Sequence, residues 1–204
     1  MKLYYKPGAC SLAVHIALKA VGAAFDMEEV DTRTQRTAKG DDFSKINPNG
    51  YIPALALDSG EILVEAPAIL QYIADRHPEA DLAPPCGTMD RTRVQQQLNF
   101  TASELHKAFS PFFGSVPLKG EARDAALAKV VRRMDYVDGL LADGRSYLVG
   151  DKFSVADAYT FVVATWTEPT GIGLDRWPNV SDYVARIKER HHVAEAMKAE
   201  GLVN

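Results

Sequence analysis

The spacing of apolar positions changes character near residue 80. Before it, short apolar runs suited to strands alternate with helical faces; after it, only helical spacing remains. Lys2-Leu3-Tyr4-Tyr5 predicts a strand that Lys6-Pro7-Gly8 ends. From Ser11, Val14, Ala17, Leu18 and Val21 share one helical face, and Gly22 supplies the stop. Residues 25–30 predict a second strand. Residues 31–42 are polar and aperiodic and predict a surface loop, with a short helix over 42–46. Pro48 and Gly50 break the chain. Residues 54–57 and 62–64 flank Asp58-Ser59-Gly60 as a hairpin. Ile69, Leu70 and Ile73 place a helix over 66–76, which His77-Pro78 closes. The order β-α-β-(α)-β-β-α over residues 1–80 predicts a small α/β domain with a mixed sheet.

Residues 81–87, with Pro84-Pro85, read as a linker. Leu98, Ala102, Leu105, Phe109 and Phe112 then step by 4, 3, 4 and 3, a helical stripe. Leu127, Val130, Met134, Val137 and Leu141 form another. Residues 155–166 are apolar nearly all round, which predicts a central buried helix. Trp177-Pro178 starts a further helix with proline in its first turn. A last one covers 193–199 and stops at Gly201. Residues 88–204 therefore read as an all-α domain of about five helices.

Composition narrows the function classes. The chain has 204 residues, 47% of them hydrophobic, enough to bury a real core in one or two domains. Its 23 basic and 27 acidic residues leave a net charge of −4, which argues against nucleic acid or an anionic membrane as partner. Cys10 and Cys86 are the two cysteines. That number excludes a disulfide-stapled scaffold and a thiolate-rich metal site. The longest apolar stretch, 158–166, is about half the ~20 residues a spanning helix needs. Pro7-Gly8 interrupts what would be a signal peptide, so a cytoplasmic protein is expected.

Cys10 is the first candidate for chemistry. It lies between a Pro-Gly turn and the start of a helix, where the helix dipole and free N–H groups stabilise a thiolate. A small buried hydrophobe is the alternative reading. The segment Cys10-Ser11-Leu12-Ala13 lacks the second thiol of a dithiol oxidoreductase, so a redox partner thiol must come from a ligand. Pro53 reads as a strand-entry proline, with a cis Ile52–Pro53 bond as the sharper expectation. Glu65-Ala66-Pro67-Ala68 opens a helix and suits a zwitterion, the N–H groups taking its carboxylate and Glu65 its ammonium. Ser154 and Asp157 have capping-box spacing and a structural role. Asn99, Ser103, His106 and Lys107 fall near one polar stripe of the long helix; His106 either tunes a thiol or belongs to a solvated face. His15 reads as packed and hydrogen-bonded, His191-His192 as surface without a third metal ligand, and Cys86 as inert.

Taken together, the Pro7-Gly8-Ala9-Cys10-Ser11 start, the segment Asn47-Pro48-Asn49-Gly50-Tyr51-Ile52-Pro53, Glu65-Ala66, and Leu98-Asn99-Phe100 with Ser103-Glu104-Leu105-His106-Lys107 resemble the cytosolic glutathione S-transferases of the bacterial beta class. The likeness runs over essentially the whole chain in order and spacing. It implies a thioredoxin-like N-terminal domain, an all-α C-terminal domain and a homodimer. It implies a cis proline at Pro53, with the Ile52 backbone pairing the cysteinyl unit of glutathione, and Glu65 and Ala66 gripping the γ-glutamyl end. Cys10 is implied to form a mixed disulfide with glutathione. Asn99, Ser103, Glu104 and His106 complete the site, some across the dimer interface, and Ser154 and Asp157 form the family's capping box.

Two departures stand out. Gln35 replaces a common lysine that faces the glycine carboxylate, a contact that Arg33 or Arg36 would have to take over. Ala66 replaces a frequent serine and loses one hydroxyl contact. The implied function is conjugation of glutathione to hydrophobic electrophilic small molecules, with thiol-disulfide transferase or peroxidase chemistry through Cys10 and no metal. The 109–117 region, with Phe109, Phe112 and Phe113, would line the electrophile pocket. The rival is a non-catalytic glutathione-transferase-like binding or regulatory module.

Overall fold

A computed structural model describes residues 1–203. The chain forms two compact units, one of Met1–Ala83 with the segment from Glu189 onward, the other of Pro84–Lys188.

The first unit carries strands β1 (Lys2–Tyr5), β2 (Asp26–Asp31), β3 (Arg36–Thr37), β4 (Ala54–Ala56) and β5 (Ile62–Val64), and helices α1 (Ser11–Ala20) and α2 (Ala66–Arg76). The sheet order is β3-β2-β1-β4-β5. Strands β1 and β2 are parallel, with Leu3 opposite Met27, as a crossover through α1 requires. Strand β4 is antiparallel to β1, Leu55 facing Leu3, and β5 pairs back on β4 with Val64 opposite Ala54. The mixed sheet and both helices stand where the apolar spacing places them. Strand β3 does not: it lies inside the expected loop, pairing Thr37 with Val30. Its two residues are too few to show a period of two. The short helix expected nearby is a 3-10 turn over Phe43–Lys45, capped by the Asp42 carboxylate, which accepts from the Ser44 N–H.

Sequence spacing marked one face of α1. The structure buries every residue from Ser11 to Leu18, because α2 and helix α8 (His191–Ala199) both pack on it. Residues from Glu189 onward, assigned from sequence to the C-terminal domain, thus belong by packing to the first unit. His191 is exposed as expected, but His192 is half-buried, and burial lowers its pKa to about 4.

The second unit holds α3 (Met89–Phe100), a π-turn (Thr101–Leu105), α4 (His106–Phe109), a 3-10 turn (Ser110–Phe113), α5 (Gly120–Leu141), α6 (Val155–Thr165) and α7 (Pro178–Lys188). The π-turn interrupts the expected stripe. A wide turn takes up one extra residue, which rotates the downstream residues by about 100° relative to a plain α-helix. Thr101, with its hydroxyl 2.7 Å from that of Thr160, is buried, while Ala102 is only half-buried. Leu98, Leu105 and Phe109 remain fully buried.

Helix α6 is buried from Val155 to Ala164, and its start carries the expected capping box. The Asp157 carboxylate accepts from the Ser154 N–H at 2.8 Å and the Ser154 hydroxyl at 2.9 Å. It also accepts from the Leu148 N–H at 2.8 Å and the Tyr183 hydroxyl at 3.1 Å. Burial nevertheless raises its pKa to about 6. No helix among the described residues is long and apolar enough to cross a membrane.

Candidate active site

Cys10 is the N-cap of α1, buried, with its Sγ donating to the Ile52 carbonyl oxygen at 3.4 Å. No acidic residue stands in the first turn of α1 and no side chain caps it. The partial positive charge of the helix start is therefore not offset locally.

Two clamps shape the loop before Cys10. The Ser11 hydroxyl donates to the Lys6 carbonyl and accepts from the Lys6 N–H, both at 3.2 Å. Gly8, at φ +69°, donates its N–H to Glu200 Oε2 at 2.9 Å. The other oxygen of Glu200 lies 2.9 Å from His15 Nδ1, and both side chains are fully buried. His15 is thus the packed, hydrogen-bonded histidine that the sequence suggests, with the edge of its ring meeting Phe25 at 5.6 Å between centroids. Gly8 cannot be replaced without strain: besides its φ, an added Cβ would stand 3.3 Å from a methyl of Leu202. Sequence reasoning missed Glu200. Its one signal was indirect, a histidine on an apolar helix face in need of a partner.

The Ile52–Pro53 bond is cis. The Ile52 N–H has no acceptor among the described residues. Beside it, the Tyr51 hydroxyl donates to Glu65 Oε1 at 3.2 Å, a partner the sequence did not indicate. The Glu65 charge pushes the Tyr51 phenol pKa upward, so it stays a donor. Glu65 has φ +68°, a backbone position that costs a non-glycine residue on the order of 1–3 kcal/mol and is typical of functional sites. It directs the chain into α2, whose first N–H, that of Ala66, also lacks an acceptor among the described residues. The 51–53 segment thus touches Cys10 through the Ile52 carbonyl and Glu65 through the Tyr51 hydroxyl.

Gln35 joins this group differently from the expectation. Its amide nitrogen donates to the carbonyls of Thr32 and Gly50, each at 2.7 Å. Both amide hydrogens are spent, and turning the amide round would set oxygen against two carbonyls. Its Oε1 is buried without a partner. Arg33 is highly exposed and 3.9 Å from Asp31, and Arg36 reaches the Gly40 carbonyl at 3.3 Å.

In the second unit, Asn99, Ser103 and Glu104 are exposed. The Ser103 hydroxyl donates to the Asn99 carbonyl at 2.8 Å, and Glu104 accepts from Arg133 Nε at 2.7 Å. The π-turn removes His106 from their stripe. His106 is half-buried, its Nδ1 2.9 Å from the Tyr159 hydroxyl and its ring edge-on to Trp166 at 4.7 Å. Burial lowers its pKa to about 4. It is therefore uncharged at pH 7. Trp166 also takes the rings of Phe109 and Phe113 edge-on, at 6.1 and 5.3 Å. Phe109 is buried beneath this group, Phe112 is half-buried and Phe113 is exposed. The sequence marks Tyr159 and Trp166 only as part of a buried helix.

Residues 1–75 match the family described as glutathione S-transferase, N-terminal domain, and residues 100–191 its C-terminal domain. Glutathione S-transferase GstA of Escherichia coli O157:H7 is 39% identical over 202 residues, covering 99% of this chain and all of that protein. A bacterial beta class glutathione S-transferase of Sphingomonas chungbukensis is 49% identical, with a TM-score of 0.95 and full coverage of both chains. A sphingomonad glutathione S-transferase complexed with glutathione is 46% identical, with a TM-score of 0.94 and full coverage of both chains. The chain belongs to the bacterial beta class of the glutathione S-transferase family.

Proposed function

We propose that this transferase holds glutathione extended against residues 50–53 and that Cys10 adds thiol-disulfide chemistry to conjugation. The cysteinyl unit pairs with the free Ile52 N–H, the γ-glutamyl carboxylate meets the free Ala66 N–H at the start of α2, and Glu65 takes the ammonium. The observation that carries the reading is the Cys10 thiol at the start of α1, 3.4 Å from the Ile52 carbonyl. A hydroxyl there could only donate a hydrogen bond, whereas a thiol can also bond covalently. In the exchange, the Cys10 thiolate attacks the glutathione sulfur of a mixed disulfide and expels the other thiolate. A second glutathione thiolate then attacks the Cys10–glutathione disulfide, releasing glutathione disulfide and restoring the Cys10 thiolate.

The test joins mass spectrometry to two assays. Brief exposure to oxidised glutathione places one glutathione adduct, on Cys10 and not on exposed Cys86. A chromogenic electrophile and a mixed-disulfide substrate are both turned over. An adduct mainly on Cys86, or no disulfide turnover, overturns the Cys10 role. Inactivity in both assays with intact binding supports the rival, a non-catalytic module.

Replacing Glu65 with alanine weakens glutathione binding about 10- to 150-fold, the worth of a charge-assisted hydrogen bond of roughly 1.5–3 kcal/mol. The melting temperature moves little, since removing the side chain breaks one exposed hydrogen bond, from Tyr51. An affinity within twofold of wild type means the ammonium is held elsewhere.

His106, with Asn99, Ser103 and Glu104, is carried over from the family as ligand-contacting, His106 as a neutral donor or acceptor. The 109–117 region, with Phe109 and Phe113 against Trp166 and half-buried Phe112, is the lining proposed for a hydrophobic electrophile. The protein works as a homodimer at a cytoplasmic address. Light scattering at low micromolar concentration then reports close to twice 22.3 kDa, and a fully active monomer removes any cross-subunit residue from the site.

A further inference from the structure

Every charged end of an extended tripeptide needs a partner, and the proposed site supplies partners unevenly. At the γ-glutamyl end stand the Glu65 carboxylate and the free Ala66 N–H. Strand β5 runs antiparallel to β4, with Val64 opposite Ala54, so Glu65 lies beside Pro53. A peptide paired with Ile52 and ending at Glu65 must run the other way with its third residue, past Tyr51 towards Gly50. Gln35 closes that end. Its two N–H groups are held by the Thr32 and Gly50 carbonyls, and an added Cβ on Gly50 would stand 2.8 Å from its Oε1. What remains of Gln35 is an acceptor, which cannot bind a carboxylate. The cations on the same stretch, Arg33, Arg36, Lys39 and Lys45, are all exposed. Exposed cations hold a carboxylate weakly, by a factor of up to about five.

We infer that Gln35 leaves the site nearly indifferent to the C-terminal charge of its thiol co-substrate, so that glutathione derivatives amidated or esterified at the glycine are bound about as well as glutathione itself. The inference rests on the extended binding mode proposed above. Gln35 is on this account a specificity-determining residue: a lysine or arginine in its place would present a cation to the glycine carboxylate.

Calorimetric titration of the full chain with glutathione and with its glycyl ethyl ester tests this. For the wild type, the two dissociation constants agree within about fivefold. The Gln35→Lys variant, checked for folding by its melting temperature, prefers free glutathione by about tenfold or more. Gln35→Arg serves if the lysine variant does not fold. A wild-type preference for the free carboxylate above about tenfold overturns the inference while leaving the binding mode standing. A folded cationic variant with an unchanged ratio removes Gln35 from the role. Binding of neither thiol overturns the extended mode and the inference together.

Discussion

Replacing Glu200 with alanine destabilises the protein by about 3–5 kcal/mol, the usual loss when one partner of a buried polar pair is removed. For a chain of this size that is a fall in melting temperature of about 6–20 °C. The size reflects the groups that Glu200 satisfies. One oxygen takes the Gly8 N–H and the other meets His15 Nδ1, and the His15 and Glu200 side chains are fully buried. Alanine removes the carboxylate that accepts from the Gly8 N–H and the group that meets His15 Nδ1, and opens a cavity between α8 and α1. The loop that presents Cys10 loses its outer clamp, so under the proposed binding mode disulfide turnover falls more steeply than affinity for glutathione. Glu200→Gln keeps the volume and an acceptor for Gly8 and recovers most of the stability. Thermal melts and paired kinetics of the two variants decide it. An alanine variant that melts within 2 °C of wild type removes Glu200 as a keystone.

Asp157→Ala acts in the other unit and spares the chemistry. Four donors converge on this carboxylate inside the protein. Without it the start of α6 is uncapped and the Tyr183 hydroxyl and Leu148 N–H lose a buried acceptor. The expected cost is again about 3–5 kcal/mol, above the ordinary range for a surface cap. Its pH dependence has a definite sign. Burial lifts the folded carboxyl to about 6, above an unfolded value of about 3.9. Protonation therefore favours the fold. The contribution is complete below pH about 4, declines as pH rises through about 6, and is flat beyond. The gap in stability between wild type and Asp157→Ala is thus wider at pH ~4.5 than at pH ~7.5, as denaturant titrations at the two values will read. A gap that widens with rising pH would mean that the four donors outweigh burial.

The parts of the fold legible in the sequence were those written in short-range signals. The β4–β5 hairpin follows from one polar turn between two apolar runs, α2 from three apolar residues and a closing His-Pro, and the α6 cap from a serine and an aspartate three apart. Cys10, Pro53 and Glu65 were legible for the same reason, since each is marked by the turn or helix start around it. Strand β3 was hidden because two residues carry no period. The π-turn was hidden because one extra residue leaves a sequence that still scans as an α-helix. That single residue moved His106 from an exposed stripe into contact with Tyr159 and Trp166. Gln35 could be seen to depart from the family, but not where its amide hydrogens go. Glu200 was illegible because its partners, Gly8 and His15, lie at the far end of the chain.

That separation bears on the order in which the molecule can be finished on the ribosome. His15 and Glu200 are 185 residues apart, and at ~5–20 residues per second their synthesis is separated by roughly 10–40 s. Throughout that interval the face of α1 that will receive α8 is uncovered, and the loop before Cys10 has its Ser11 clamp but not its contact with Glu200. The second unit, Pro84–Lys188, is translated in full within it. The first strand to emerge thus belongs to the last unit to close, and the Cys10 site matures only when translation has passed Glu200. A nascent chain paused between the two units therefore carries one apolar face of α1 exposed, the face that α8 covers in the finished protein.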